Sequence, residues 1–269
     1  MDLSDKYNGT KRYLLSRWPL YLAGMVVILL SILALLVGIF QGRPTLIPLA
    51  FILFLVVVLL AGFPLWFAHR LYDTNNIRDK LFEIGQLRPD DSFLYLDVGL
   101  KWLPVNMSRR LTTGHIIVID IYNPNLTPDT NLARVRQQGQ HPTPDPRLSW
   151  RDGDISLLPL PDNSVPAVVL AETISEFWQQ GDREKLISEI DRILAPGGRL
   201  ILAERVRTNV NRLTMGVEGF GLETADYWRD LITQTGLRVR NEASLEELMY
   251  FIRADKSLPY EGKQLIFDF

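Results

Sequence analysis

Cysteine is absent from the 269 residues. That excludes disulfides, thiolate metal sites and a cysteine nucleophile. Histidine is nearly absent: His69, His115 and His141 are the three, and no two stand at metal-ligand spacing. No metal is therefore expected. An excess of positive charge is also missing. With 29 Lys and Arg against 31 Asp and Glu, the formal net charge is -2, which leaves no electrostatic footprint for nucleic acid. No internal repeat or low-complexity tract interrupts the chain.

Charge is missing, too, from two long stretches. Leu20 to Phe40 holds none. After Gln41-Gly42-Arg43-Pro44, the run from about Thr45 to Phe67 again holds none. A bilayer core takes about 20 apolar residues as a helix, and each run is that long. Neither has a polar face, which argues against a pair of buried core helices. A cleaved signal peptide fits poorly, because the first run is too long and the second follows at once. Pro48 and Pro64 fall near the ends of the second run, where a missing N–H matters less. Trp18, Tyr21, Phe40, Trp66 and Phe67 sit where an aromatic belt would. Lys6, Lys11, Arg12 and Arg17 precede the runs, Arg43 alone separates them, and Arg70, Arg78 and Lys80 follow. The positive-inside rule puts both ends in the cytoplasm. The expected organisation is a cytoplasmic segment (1–18), a transmembrane hairpin (19–68, with spans at about 20–40 and 45–67), a linking helix (69–91) and a soluble domain (92–269). The lipid bilayer is the first expected partner, and the expected location is a plasma or inner membrane.

Beyond the hairpin, strand-like and helix-like segments alternate. Strands are expected at Phe93–Val98, His115–Ile121, Leu148–Arg151, Ala167–Ala171, Arg199–Ala203, Leu237–Arg240 and Leu248–Arg253. Helices are expected near Ala68–Leu87, Pro104–Leu111, Asp129–Gln138, Arg183–Leu194 and Thr224–Thr235. Such alternation predicts an α/β fold with a mostly parallel sheet and helices on both faces. Pro196-Gly197-Gly198 reads as a helix stop and turn. Ligands of open α/β sheets bind outside the carboxyl ends of the strands. Three acids are expected there: Asp97, Asp120 and Asp154. A nucleotide-binding turn is normally rich in glycine. Here glycine is scarce, and the turn reads Gly99, Leu100, Lys101, Trp102, Leu103.

Four pieces in order resemble the class I S-adenosylmethionine-dependent methyltransferases of the ubiquinone/menaquinone-biosynthesis type. They are Leu96–Gly99 (LDVG), Val118–Asn125 (VIDIYNPN), Gly153–Val165 (GDISLLPLPDNSV) and Glu189–Leu202 (EIDRILAPGGRLIL). The resemblance covers about Leu87 to Asp255 and implies a Rossmann-like sheet of seven strands whose last strand is antiparallel. It implies S-adenosylmethionine as cofactor. Asp97 would approach the methionyl amino group, and Gly99 would let the backbone pass close to the cofactor. Lys101, in place of the second family glycine, would stand near the cofactor's carboxylate or fill its pocket. Asp120 would accept from the ribose hydroxyls. Ile121 would lie against adenine, Asp154 would accept from its amino group, and the Ile155 N–H would face a ring nitrogen. Ala171, Glu172 and Thr173 would border the methionine end.

Departures from the family pattern are Lys101 and Leu103 for two glycines, Val165-Pro166-Ala167 for a Phe-Asp, and the lack of a histidine-rich segment after the fourth strand. No general base is evident, although Glu172, Glu176 and Tyr122 are within the expected region. Two readings stay open. One is a membrane-anchored methyltransferase acting on a lipid-soluble or small-molecule acceptor. The other is a catalytically degenerate, methyltransferase-like subunit of a membrane complex. A nicotinamide-dependent reductase is weaker, because its G-x-G-x-x-G fingerprint is absent.

Overall fold

Hydrophobic runs build the sheet. Phe93-Leu94-Tyr95-Leu96-Asp97 is buried at every position, and successive side chains point to opposite faces, so both faces of this strand are covered. A computed structural model of the chain describes residues 17–71, 77–138 and 144–258, with Thr10, Tyr13 and Leu14. Most of the expected N-terminal segment, residues 72–76 of the linking helix, and the end of the soluble domain from 259 lie outside the described residues.

The chain divides into two units, one formed by residues 1–76 with 213–215 and one by the remainder. The first contains α1 (Trp18–Phe40) and α2 (Leu46–His69). The Tyr21 hydroxyl reaches the Ala61 carbonyl, Gly24 faces Val57 and Gly38 faces Ile47. Numbers that rise along one helix and fall along the other describe an antiparallel hairpin. Ser31, a hydroxyl among apolar residues, donates to the Val27 carbonyl one turn back at 2.8 Å. Both helices are long and apolar enough to cross a membrane. Large apolar side chains project outward all round, among them Leu29, Leu30, Leu33, Ile52, Leu55 and Leu59.

The second unit is a seven-stranded sheet in the order β3-β2-β1-β4-β5-β7-β6. The strands are β1 (Phe93–Asp97), β2 (Ile116–Asp120), β3 (Leu148–Asp152), β4 (Val165–Ala171), β5 (Leu194–Glu204), β6 (Arg238–Leu245) and β7 (Met249–Asp255). β7 runs antiparallel to both of its neighbours, β5 and β6, and the other strand pairs are parallel, as expected. The helices are α3 (Ile77–Gly85), α4 (Trp102–Ser108), α5 (Thr130–Gln138), α6 (Gln180–Ile193), α7 (Asn209–Met215, of which Leu213–Met215 fall in the first unit), α8 (Val217–Phe220) and α9 (Ala225–Gln234). The core lies between sheet and helices, with Leu96, Ile119, Leu170, Leu186, Ile190, Leu202 and Trp228 fully or almost fully buried. The strand order reverses between β1 and β4. In open α/β folds such a switch point opens the crevice where ligands bind.

Two expectations change. Pro196-Gly197-Gly198 is not a turn ahead of the strand but lies inside β5. There β4 residues Val165 and Ala167 pair with Leu194 and Arg199, so a bulge absorbs the extra residues. Gly197 has φ +74, its N–H donates to the Lys256 carbonyl, and Lys256 returns a bond to Gly198. That exchange with the end of β7 makes the segment ladder-like. A Cβ on Gly198 would stand 2.7 Å from the Ala195 carbonyl, so glycine is needed at the bulge. The helix expected over Pro104–Leu111 begins earlier, at Trp102, and ends at Ser108. Pro104 then lies in the first turn, where its missing N–H would have had no partner.

Candidate functional site: the carboxyl ends of β1, β2 and β4

Parallel register brings three acids into one row. Asp97 pairs with Asp120, and Asp120 with Asp152, at the carboxyl ends of β1, β2 and β3. Like charges side by side repel, and Asp97 and Asp120 each find a different partner.

Asp97, 2 % exposed, turns inward and accepts the Lys101 backbone N–H at 2.8 Å. This closes the turn that follows β1. Gly99 sits there at φ +85 and Lys101 at φ +59. Both are left-handed, which glycine adopts freely and lysine does not. The turn therefore keeps the backbone shape of a glycine loop with a side chain at one of its positions. Lys101 lines an open cleft of about 760 Å3 with Asp120, Trp150, Arg151 and Asp152.

Asp120 is occupied by a residue that sequence reasoning missed. Arg136, from α5, donates Nη1 to both Asp120 oxygens at 2.9 and 2.8 Å. The same nitrogen donates to the Val98 carbonyl. The guanidinium lies 4.0 Å from the centroid of the Tyr122 ring, a cation–π distance. It also covers Gly99 so closely that a Cβ there would stand 1.5 Å from Nη1. The space between the glycine turn and the strand-end acid thus holds an arginine, not Lys101. Arg136 stands in a polar helix, TNLARVRQQ, and no motif marks it.

The other expected residues are dispersed. Ile121 is 1 % exposed and Ile155 is 2 % exposed, and both pack in the core. Ile121 donates its N–H to the Asp97 carbonyl. Asp154 lies two residues beyond β3, exposed to solvent, and accepts the Ser156 N–H at 2.7 Å. That bond, with Lys185 nearby, holds its carboxyl below the usual range. Glu172, just after β4, takes φ +49 and pairs with Arg205 at 2.8 Å. Thr173 donates its hydroxyl to the Leu96 carbonyl and so ties the β4 turn to β1 across the switch point.

Glu204, the last residue of β5, was also missed. Burial pushes its carboxyl up to about 7. One oxygen accepts the Thr173 and Ile174 N–H groups and the other the Ser175 hydroxyl. It therefore fixes the turn that borders the crevice. An acid at the carboxyl end of a strand was the signal that selected Asp97 and Asp120, and the same rule selects Glu204.

Residues 97–202 match the family described as "Methyltransferase domain". The chain is 26 % identical over 123 residues to 2-phytyl-1,4-naphtoquinone methyltransferase of Nostoc sp., covering 45 % of this chain and 50 % of that one. It is 26 % identical over 127 residues to demethylmenaquinone methyltransferase of Thermus thermophilus, covering 47 % and 53 %. The chain thus spans about half the length of these curated relatives. Among solved structures, an S-adenosylmethionine-dependent methyltransferase from Aquifex aeolicus superposes with a TM-score of 0.51 at 15 % identity, over 66 % of this chain and 89 % of that one. Residues 97–202 thus match a methyltransferase domain, and the strands of the second unit form the Rossmann-like seven-stranded sheet of the methyltransferase fold.

Proposed function

We propose that this protein is a membrane-anchored, S-adenosylmethionine-dependent methyltransferase whose acceptor is a small, lipid-soluble molecule of the quinone-precursor kind. The observation that carries the reading is the pairing of Asp97 with Asp120 beside the switch point, inside the segment that matches a methyltransferase domain. A carboxylate suits a ribose diol, because it offers acceptors in a fixed fork. Asp120 would take that diol once Arg136 swings aside, and Asp97 would take the methionyl amino group. Gly99, which carries no side chain and holds φ +85, would let the cofactor lie against the backbone once Arg136 has moved off it. Arginine is a long side chain held here at its tip, so the fit requires a rotamer change, not a refolding.

The cofactor supplies a methyl group activated by a positively charged sulfur that leaves as a neutral thioether. The protein's own task is to hold donor and acceptor in line and to exclude water. Glu172 and Glu176 border that region and are the groups at hand should an acceptor hydroxyl need to lose a proton. The names of the curated relatives support a quinone-type acceptor. Two uncharged helices with outward-facing apolar side chains support insertion in a bilayer, from which such an acceptor could enter. The charge on the flanks of the helices supports both ends lying in the cytoplasm.

A second reading has its own observation. Arg136 fills the space that a ribose needs, and Lys101 and Leu103 replace two glycines of the family's turn. These favour a subunit of a membrane complex that has lost the cofactor. Titration of the detergent-solubilised full chain with S-adenosylmethionine separates the two. The enzyme reading expects saturable binding, and methyl label transferred from the cofactor to a demethylated quinol. The absence of both binding heat and thermal shift at millimolar cofactor would overturn it.

A further inference from the structure

We infer that Arg136 is a latch on the ribose site, an internal stand-in that the cofactor must displace. This rests on the cofactor reading above. Every contact of the guanidinium at that site is one that a ligand would otherwise make or cover. Its Nη1 occupies both acceptors of Asp120. It takes the Val98 carbonyl and lies on the Gly99 backbone, where a glycine loop would admit the ligand. Tyr122, two residues beyond Asp120, holds the flat guanidinium from the side. The Asp120 and Arg136 side chains are 16 % and 26 % exposed, so the pair is partly shielded from water yet has an exit to solvent.

The consequence is competitive. The guanidinium and a ribose diol cannot both stand between the Asp120 oxygens and the Gly99 backbone. The cofactor therefore binds only the fraction of molecules in which Arg136 has swung out, and the observed dissociation constant is the intrinsic one divided by that fraction. A latch open about one-tenth of the time weakens apparent affinity about tenfold. The latch also gives the row formed by Asp97, Asp120 and Asp152 a counter-cation when no ligand is present.

The test is equilibrium dialysis of the full chain in detergent with S-adenosylmethionine, and separately with S-adenosylhomocysteine, which lacks the sulfonium charge. Arg136→Gln keeps much of the side chain's length and removes the cation. It is expected to bind both ligands about tenfold more tightly than the natural chain. Tyr122→Leu leaves Arg136 and Asp120 in place but removes the ring that seats the guanidinium, and it should fall between the two. Thermal melting of each variant shows whether it is folded, and the Tyr122 variant carries the test if Arg136→Gln is not. Equal dissociation constants for the natural chain and both variants would overturn the latch and leave the cofactor reading standing. No binding by any of the three chains would overturn both.

Discussion

The Asp97 carboxylate accepts the backbone N–H of Lys101, four residues on, at 2.8 Å, and Lys101 holds φ +59 to deliver it. The bond secures a turn shaped for glycine at a position occupied by lysine. A residue with a Cβ in the left-handed region costs about 1–2 kcal/mol. Lys101→Gly should therefore raise stability by about 1 kcal/mol. For a domain of this size that is a rise in melting temperature of about 2–4 °C. Lys101→Ala keeps the strain and should give no such gain. Melting curves of the two variants side by side check the origin of the effect. Equal curves would mean that the turn is not strained.

Arg192 should prove a structural hub. It donates to Asp162, to Glu189 and to the Leu158 and Leu160 carbonyls, while Glu189 accepts the Leu158 N–H. The Glu189 carboxyl is held below its ordinary range, chiefly by Arg192. Hydrogen bonds to a charged partner contribute about 1.5–3 kcal/mol each, less where solvent reaches them. Arg192→Ala should cost on the order of 2–3 kcal/mol in denaturant unfolding. Arg192→Lys, which has no fork, should recover only part of that. Full recovery by lysine would show that charge alone matters.

That hub also explains what the sequence made legible. The segments Gly153–Val165 and Glu189–Leu202 carried the resemblance most specifically, and they are bonded to each other through Glu189 and Arg192. Strands were legible because they are apolar on both faces, as in β1 and β4. Asp97 and Asp120 were legible because a strand's end can be read from its pattern. Arg136 was not. It reaches the site through its side chain, which bonds to the Val98 carbonyl 38 residues upstream, and an arginine in a polar helix looks like any solvated charge. The strand character of Pro196–Gly198 was hidden because the bonds that draw it into the sheet come from Lys256, at the distant end of β7.

Glu204 should make stability fall as pH rises through neutrality. Its carboxyl moves from an ordinary 4.5 up to about 7, mainly through burial and also through the nearby Glu172. The folded state therefore holds this proton more tightly than the unfolded state. The resulting stabilisation is complete below about pH 4.5 and is lost as pH passes about 7. It is worth on the order of 3 kcal/mol, since each tenfold preference is about 1.4 kcal/mol. Glu204→Gln should flatten that slope. Its carbonyl oxygen can still accept from the Thr173 and Ile174 N–H groups, and its amide can donate to the Ser175 oxygen. Unfolding free energies at pH 5, 6, 7 and 8 for both chains check this. Parallel slopes would sink the assignment.

The lack of cysteine makes the proposed membrane topology directly measurable, because any thiol placed in the chain is the sole target for a maleimide. Gln41 lies exposed between α1 and α2, and Gln179 lies exposed ahead of α6. With both ends inside, a membrane-impermeant maleimide should label Gln41→Cys in intact cells. Gln179→Cys should be labelled only after permeabilisation. Labelling of Gln179→Cys from outside would reverse the orientation. Release of the natural chain by alkaline carbonate would mean that the hairpin does not span. A charge should then decide whether the helices need lipid. Leu30, 56 % exposed, lies near the middle of α1, where arginine costs about 2.5–3.5 kcal/mol in a bilayer. Leu30→Arg should therefore deplete the membrane fraction. If Leu30 instead faced a soluble partner, the same variant would leave the fractionation unchanged.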